Sequence, residues 1–136
     1  MTPPEADLTR DESFPPAARL RRPEEFRSVF RDGKRVGGRY LVVHALLREE
    51  GPSRLGLAVS RKVGRAIVRN RVRRRLREIF RRRLRHEIEN EGMTFDLVLR
   101  ALPAAAGRPE HELEADLRQA WKRVLPRLRR RRESAE

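Results

Sequence analysis

The stretch GLAVSRKVGRAIVRNRVRRRLREIF, residues 56–80, indicates a mixed fold because two different patterns meet in it at one glycine. Before Gly64, apolar and small residues alternate as they do in a β-strand. After Gly64, Val68, Val72 and Leu76 recur at the spacing of one helical face, and arginines fill much of the remainder. The pattern predicts a strand followed by a helix that buries one side and exposes a positively charged side.

Positive charge is high in the whole chain and concentrated in this part of it. The 136 residues have a formal net charge of +14, and all but three of the 34 basic residues are arginine. From Arg61 to Arg85 there are thirteen Lys or Arg residues and one acid, Glu78. Arginine binds phosphate through paired hydrogen bonds, so the block favours a polyanion partner. A solvated face without a ligand is the alternative.

Several classes of function are excluded or disfavoured by what the sequence lacks. There is no cysteine, which excludes disulfides and thiolate sites. No signal-peptide pattern and no long apolar run occur, which predicts a cytoplasmic protein without a membrane partner. His86-Glu87 begins like a zincin motif but lacks the second histidine, and His111 lies between two acids. No catalytic residue and no metal ligand is therefore predicted.

The first half of the chain predicts an extension, a helix and strands. Residues 1–18 are acidic and proline-rich, so we expect them to be disordered. Pro23 is typical of a helix start, and Gly33 is predicted to end that helix. Residues 34–60 then predict two or three antiparallel strands with a turn at Gly51-Pro52.

The second half predicts one more strand between two helices. Gly92 is expected to cap the basic helix, and TFDLVLRAL, residues 94–102, reads as a strand. Pro109 is predicted to open a last helix that Pro126 ends or kinks, leaving residues 127–136 as a frayed basic tail. The fold class is therefore α+β, with helices layered on a small sheet.

Two blocks of this sequence resemble the bacterial ribonuclease P protein family. One is the region quoted above with its Arg-Asn-Arg element at residues 69–71, and the other is RLRRPEEFRSVFRDGKRVGGRYLVV, residues 19–43. The resemblance implies a ribonuclease P protein domain over residues 19–126. It also implies a two-layer α/β sandwich in the order α-β-β-β-α-β-α, of the ribosomal-protein domain 2-like fold group, with an unusual left-handed β-α-β crossover. From pattern alone, a right-handed crossover is the normal expectation.

The resemblance also implies a function. Members of this family pair with a catalytic RNA that removes the 5′ leader of precursor tRNA by hydrolysis, using Mg²⁺ held mainly by the RNA. The expected partners are thus the catalytic RNA and precursor tRNA, and not DNA. A ribosomal or other structural RNA-binding protein is the alternative, whereas strands on both sides of the basic helix argue against a helix-turn-helix DNA binder.

Residue roles follow from the resemblance position by position. Contacts with the RNA subunit are implied for Ser60, Arg61, Lys62, Arg69, Asn70, Arg71, Arg73, Arg74, Arg75 and Arg77. A cleft for the single-stranded leader is implied at Phe26, Phe30 and His44. His44 departs from the family here, since its position corresponds to an aromatic residue of the cleft strand. Single-stranded RNA is held by basic grooves with stacking rings. Phe26 and Phe30 also have the spacing of core residues, so both interpretations stay open; Trp121 is assigned to the core.

Overall fold

A computed structural model describes residues 19–135 of the chain, and the side chains of residues 19–130. The disorder expected for residues 1–18 lies outside the described part. The elements, in chain order, are α1 (Pro23–Asp32), β1 (Lys34–Gly37), β2 (Leu41–Arg48), β3 (Arg54–Ala58), α2 (Ala66–Ile79), α3 (Arg85–Asn90), β4 (Thr94–Ala101) and α4 (Glu110–Ala135). A π-helical turn, Phe80–Leu84, joins α2 to α3 without a break. The predicted α+β class and element order are confirmed.

The described strands form one sheet in the order β1-β2-β4-β3. β1 is antiparallel to β2 and β2 to β4, whereas β3 is parallel to β4. The expectation that β3 continues an antiparallel set after β2 is therefore wrong. The reason is that β4 is buried on both faces along most of its length, which favours a central position covered on both sides. The connection from β3 through α2 to β4 is a crossover, and its left hand stays a prediction.

One side of the sheet, the closed face, packs against α2, α3 and α4. Alternate residues of β2 and β4, such as Val43 and Leu97, enter one core with Leu76 of α2. Trp121 of α4 is 2% exposed and meets Phe95 edge to face, with ring centroids 5.3 Å apart. The assignment of Trp121 to the core is confirmed.

The other side of the sheet, the trough face, packs against α1. Phe26 and Val29 of α1 form a small core with Leu20 and with Val98 of β4. A Cβ atom on Gly56 would lie 2.6 Å from the Phe26 ring, so the missing side chain lets this ring lie directly on β3. Phe26 therefore occupies the surface of β3 at Gly56.

Ion pairs hold the start of α1 to the sheet. Oε1 of Glu25 accepts hydrogen bonds from the backbone N–H groups of Arg21 and Arg22, at 2.8 and 2.9 Å. Its Oε2 accepts from Arg54, whose other nitrogens bind both carboxylate oxygens of Asp96 at 2.8 and 2.7 Å. Burial alone would raise the pKa of Glu25, but the backbone bonds and the Arg54 charge outweigh it and hold that pKa below its usual range.

The end of α4 differs from the prediction. The helix runs through Pro126 to Ala135, so Pro126 does not end it and the segment after it is helical. Leu125 and Leu128 are buried on either side of the proline. Their packing offsets the loss of one backbone hydrogen bond at Pro126, whose ring is exposed.

Candidate RNA interface

The basic segment begins where β3 ends. Oγ of Ser60 accepts a hydrogen bond from the N–H of Lys62 at 3.3 Å and caps a 3-10 turn, Arg61–Val63. Gly64 then adopts a φ of 151°, which glycine tolerates far better than other residues. This turn directs the chain into α2, so the strand end and the first turns of α2 present their side chains together.

The first turns of α2 and the 3-10 turn form a positively charged surface, the arginine face. Five of the predicted RNA-subunit contacts are exposed on it, namely Arg61, Lys62, Asn70, Arg71 and Arg74. Within the described residues, no carboxylate forms an ion pair with Arg71 or Arg74. Four further predicted contacts are half-buried at its margin: Ser60, Arg69, Arg75 and Arg77. The structure thus brings nine of the ten predicted residues to one surface.

Arg73 is the exception among these ten. It is 5% exposed, and its Nη1 donates a hydrogen bond to Oδ1 of Asn70 at 2.7 Å. Arg73 shares a helical stripe with Leu76 and Phe80, which are both buried. In this arrangement Arg73 therefore offers almost no surface to RNA, and burial counts against the contact predicted for it. Its side chain instead positions the Asn70 amide.

Beyond the arginine face, the helix neutralises much of its own charge. Arg81 and Arg82 pair with Glu78 at 2.8 and 3.0 Å, and Arg85 pairs with Glu89 at 3.2 Å. Pairs of this kind are solvent-exposed and add little stability. They do confine the uncompensated charge to the first turns of α2, next to the end of β3.

The predicted leader residues lie on the trough face. Phe30 and His44 meet edge to face, with ring centroids 4.7 Å apart and an interplanar angle of 89°. Phe30 is half-buried and His44 is 5% exposed, whereas Phe26 has no exposed surface. Phe26 therefore packs in the core and offers no ring to a base here. We call the surface beside α1 that is lined by Phe30, His44 and Arg100 the trough.

Arg100 was missed by sequence reasoning. Its Nε donates a hydrogen bond to Nε2 of His44 at 3.3 Å. Burial, and then the charges of Arg100 and Arg35, lower the pKa of His44 to about 4, so the imidazole is neutral near pH 7. A signal for Arg100 does exist in the sequence, because it is the one basic residue in the otherwise apolar stretch LVLRAL, residues 97–102.

The carboxylates and histidines of the described residues include no group of three or more that could hold a metal ion. Asp96 and Glu25, the acids beside the trough face, are paired with Arg54. These residues therefore do not fit a magnesium site in the protein itself.

In the described part of the chain, no helix is both long and apolar enough to cross a membrane.

Comparison with known proteins agrees with the fold and the basic segment. A family model described as Ribonuclease P matches residues 14–125. The ribonuclease P protein component of Kocuria rhizophila is 45% identical over 107 residues, covering 79% of this chain and 91% of the relative. That of a Nocardioides species is 44% identical over 111 residues, with coverages of 79% and 92%.

A solved structure is similar as well. The RNase P protein from Thermotoga maritima superposes with a TM-score of 0.64 at 32% identity, covering 78% of this chain and 96% of that one. The family match includes α1, the whole sheet and the arginine face. The chain belongs to the ribonuclease P protein family.

Proposed function

We propose that this chain is the protein subunit of ribonuclease P, an endoribonuclease that removes the 5′ leader of precursor tRNA. In this proposal the arginine face binds the catalytic RNA, and the trough binds the unpaired leader. Family membership supports the role as a subunit and disfavours a ribosomal or other structural RNA-binding protein. Folded RNA is bound through phosphates and shape, which suits an exposed surface of arginines.

One observation carries the assignment of two RNA surfaces. In the β3–β4 pairing, Ala58 lies opposite Arg100, and Ser60 follows two residues later at the start of the basic turn. The trough therefore lies beside the basic turn at which the arginine face begins, and one sheet positions both. An RNA strand leaving the catalytic RNA at the arginine face would reach the trough without crossing the closed core.

Within the arginine face, the residues have different roles. The exposed cations at Arg61, Lys62, Arg71 and Arg74 would neutralise phosphates, with support from the half-buried residues Ser60, Arg69, Arg75 and Arg77. Asn70 would offer its amide NH₂ group to RNA, because its oxygen already accepts from Arg73. In the trough, Phe30 is the ring with surface left for a base, while His44 and Phe26 support it.

Bond cleavage in this proposal belongs to the RNA subunit, and the Mg²⁺ ions are held mainly by that RNA. The protein contributes binding energy for the substrate. Its proposed partners are the catalytic RNA and precursor tRNA, and its proposed site of action is the bacterial cytoplasm.

The test is cleavage of precursor tRNA by a bacterial ribonuclease P RNA at limiting Mg²⁺, with and without the protein. Two substrates, one with a leader of several nucleotides and one with a single-nucleotide leader, separate the two surfaces. We expect the protein to stimulate cleavage of both, and the long-leader substrate more. An absence of stimulation would support the ribosomal alternative, and equal stimulation would argue against leader binding in the trough.

A further inference from the structure

We propose that Arg100 binds a backbone phosphate of the unpaired leader, and that His44 holds its guanidinium in position for this. The inference rests on the proposed function, because it assumes that the leader passes along the trough. It adds a binding residue that was not among those predicted from the sequence and gives His44 a positioning role in place of stacking.

The strand register puts the residues of this unit on one face. His44 of β2 lies opposite Arg35 of β1 and Val98 of β4, and Arg100 follows Val98 by two residues. Leu97 and Leu99, the alternate residues of β4, enter the closed core. Arg35, His44 and Arg100 therefore all project from the trough face.

The contacts of His44 fix one end of the Arg100 guanidinium. Nε2 of His44 accepts from Nε of Arg100 at 3.3 Å, while Phe30 holds the imidazole ring edge-on at 4.7 Å. Because this bond needs the lone pair on Nε2, the low pKa of His44 preserves it through the neutral pH range. Among residues 19–130, the two terminal nitrogens of Arg100 have no hydrogen-bond acceptor. Such a pre-positioned pair of donors matches two oxygens of a phosphodiester.

Charge is distributed unevenly along this face. Near the start of α1, Asp96 pairs with Arg54 at 2.7 Å and with Arg48 at 3.5 Å, and Glu25 adds a second carboxylate. Asp96 lies four residues before Arg100, which is about 13 Å along an extended strand. No carboxylate of the described residues pairs with Arg100 or with Arg35, which lies opposite His44 on β1. This end of the trough therefore lacks an internal counterion and favours an external anion.

The position of Arg100 favours the backbone of an RNA strand over a small free anion. Arg100 lies opposite Ala58, two residues before the basic turn at Ser60, so it stands between the arginine face and Phe30. A strand running from the RNA subunit would meet Arg100 first and the Phe30 ring next. A phosphate contact at this point carries no base identity, so it would bind leaders of any sequence.

The first experiment measures affinity of the assembled RNA–protein holoenzyme for tRNA as a function of salt. Arg100→Gln removes the charge and keeps a side chain that can donate to His44. We expect a three- to tenfold loss of affinity for long-leader precursor, with the slope of log K against log salt reduced by about 0.7, and no change for mature tRNA. Arg100→Lys should restore part of the slope. The control Arg27→Gln removes the same charge from an exposed position on α1 and should leave both affinities unchanged.

The second experiment locates the phosphate. Leader linkages are replaced one at a time by uncharged methylphosphonates, in wild type and in Arg100→Gln. We expect one linkage that costs affinity in wild type and costs nothing in the variant. Equal costs in both proteins at every linkage, or equal losses of Arg100→Gln for long-leader and mature tRNA, would overturn the role of Arg100. If instead wild type itself does not distinguish long-leader from mature tRNA, the leader-binding function fails and not this residue alone.

Discussion

The two faces of the sheet come from the same strands, yet one is apolar and the other carries polar side chains. On the closed face, alternate residues of the strands are apolar and three helices cover them. Trp121 packs against Phe95 within this core. Among the described residues, the trough face is covered by α1 and Leu20, and it carries Asp96, His44 and Arg100 on the same strands. The closed face therefore supplies most of the apolar burial, and this allows the trough face to keep polar groups that weaken a core.

Removing the largest buried ring of the closed face should have the largest effect on stability. We expect Trp121→Ala to lower the free energy of unfolding by about 3–5 kcal/mol, because it leaves a cavity against Phe95. Urea denaturation measures the loss. Phe30→Ala on the trough face is the matched control and should cost clearly less, since Phe30 is only half-buried. Equal losses from the two variants would remove the distinction between the faces.

The trough face should be most sensitive where α1 touches the sheet. Gly56→Ala would bring a methyl group within 2.6 Å of the buried Phe26 ring, and overpacking of this kind costs about 1–3 kcal/mol. Gly37→Ala is the control in another strand, because nothing lies within 4 Å of its added Cβ. Combining Gly56→Ala with Phe26→Leu should restore part of the loss in thermal unfolding. A loss as large for Gly37→Ala would show that the contact between α1 and β3 is not its cause.

Protonation of His44, on the trough face, should destabilise the fold as the pH falls. His44 has a pKa of about 4 in the fold, below its ordinary value of 6.5, so the unfolded chain binds the proton first as the pH falls. Stability from this group is therefore complete above pH 6.5 and is lost progressively towards pH 4. Between pH 7 and 5 we expect a loss of about 2 kcal/mol that His44→Leu does not show. Denaturation curves of the two proteins that shift in parallel over this range would contradict the prediction.

The sequence predicted the closed face better than the trough face, for a physical reason. The helical stripe of Val72 and Leu76 and the inward Trp121 depend on local periodicity, which is visible in the chain. The position of β3 beside β4 depends on a pairing across a whole helix, which no local pattern records. The contact of Arg100 with His44 depends on the same long-range packing. The burial of Arg73 follows instead from the helical stripe that it shares with Leu76 and Phe80. Residue types alone could not reveal which arginines face solvent.

The smallest expected effect is the loss of one RNA contact from the arginine face, compared with a loss further along the same basic helix. The arginine face lies on the solvent side of α2, which covers the closed face. Arg71 is exposed and no described carboxylate pairs with it, so Arg71→Ala should leave stability nearly unchanged. Loss of one phosphate contact should reduce the salt slope for binding the RNA subunit by about 0.9, or roughly threefold in affinity across 50 to 200 mM salt. The control is Arg82→Ala, because Arg82 is exposed but already paired with Glu78 at 3.0 Å. Filter-binding titrations without tRNA measure both slopes. An equal reduction for Arg82 would mean that RNA contacts extend along the whole basic helix, since its internal ion pairs would then give way to phosphate.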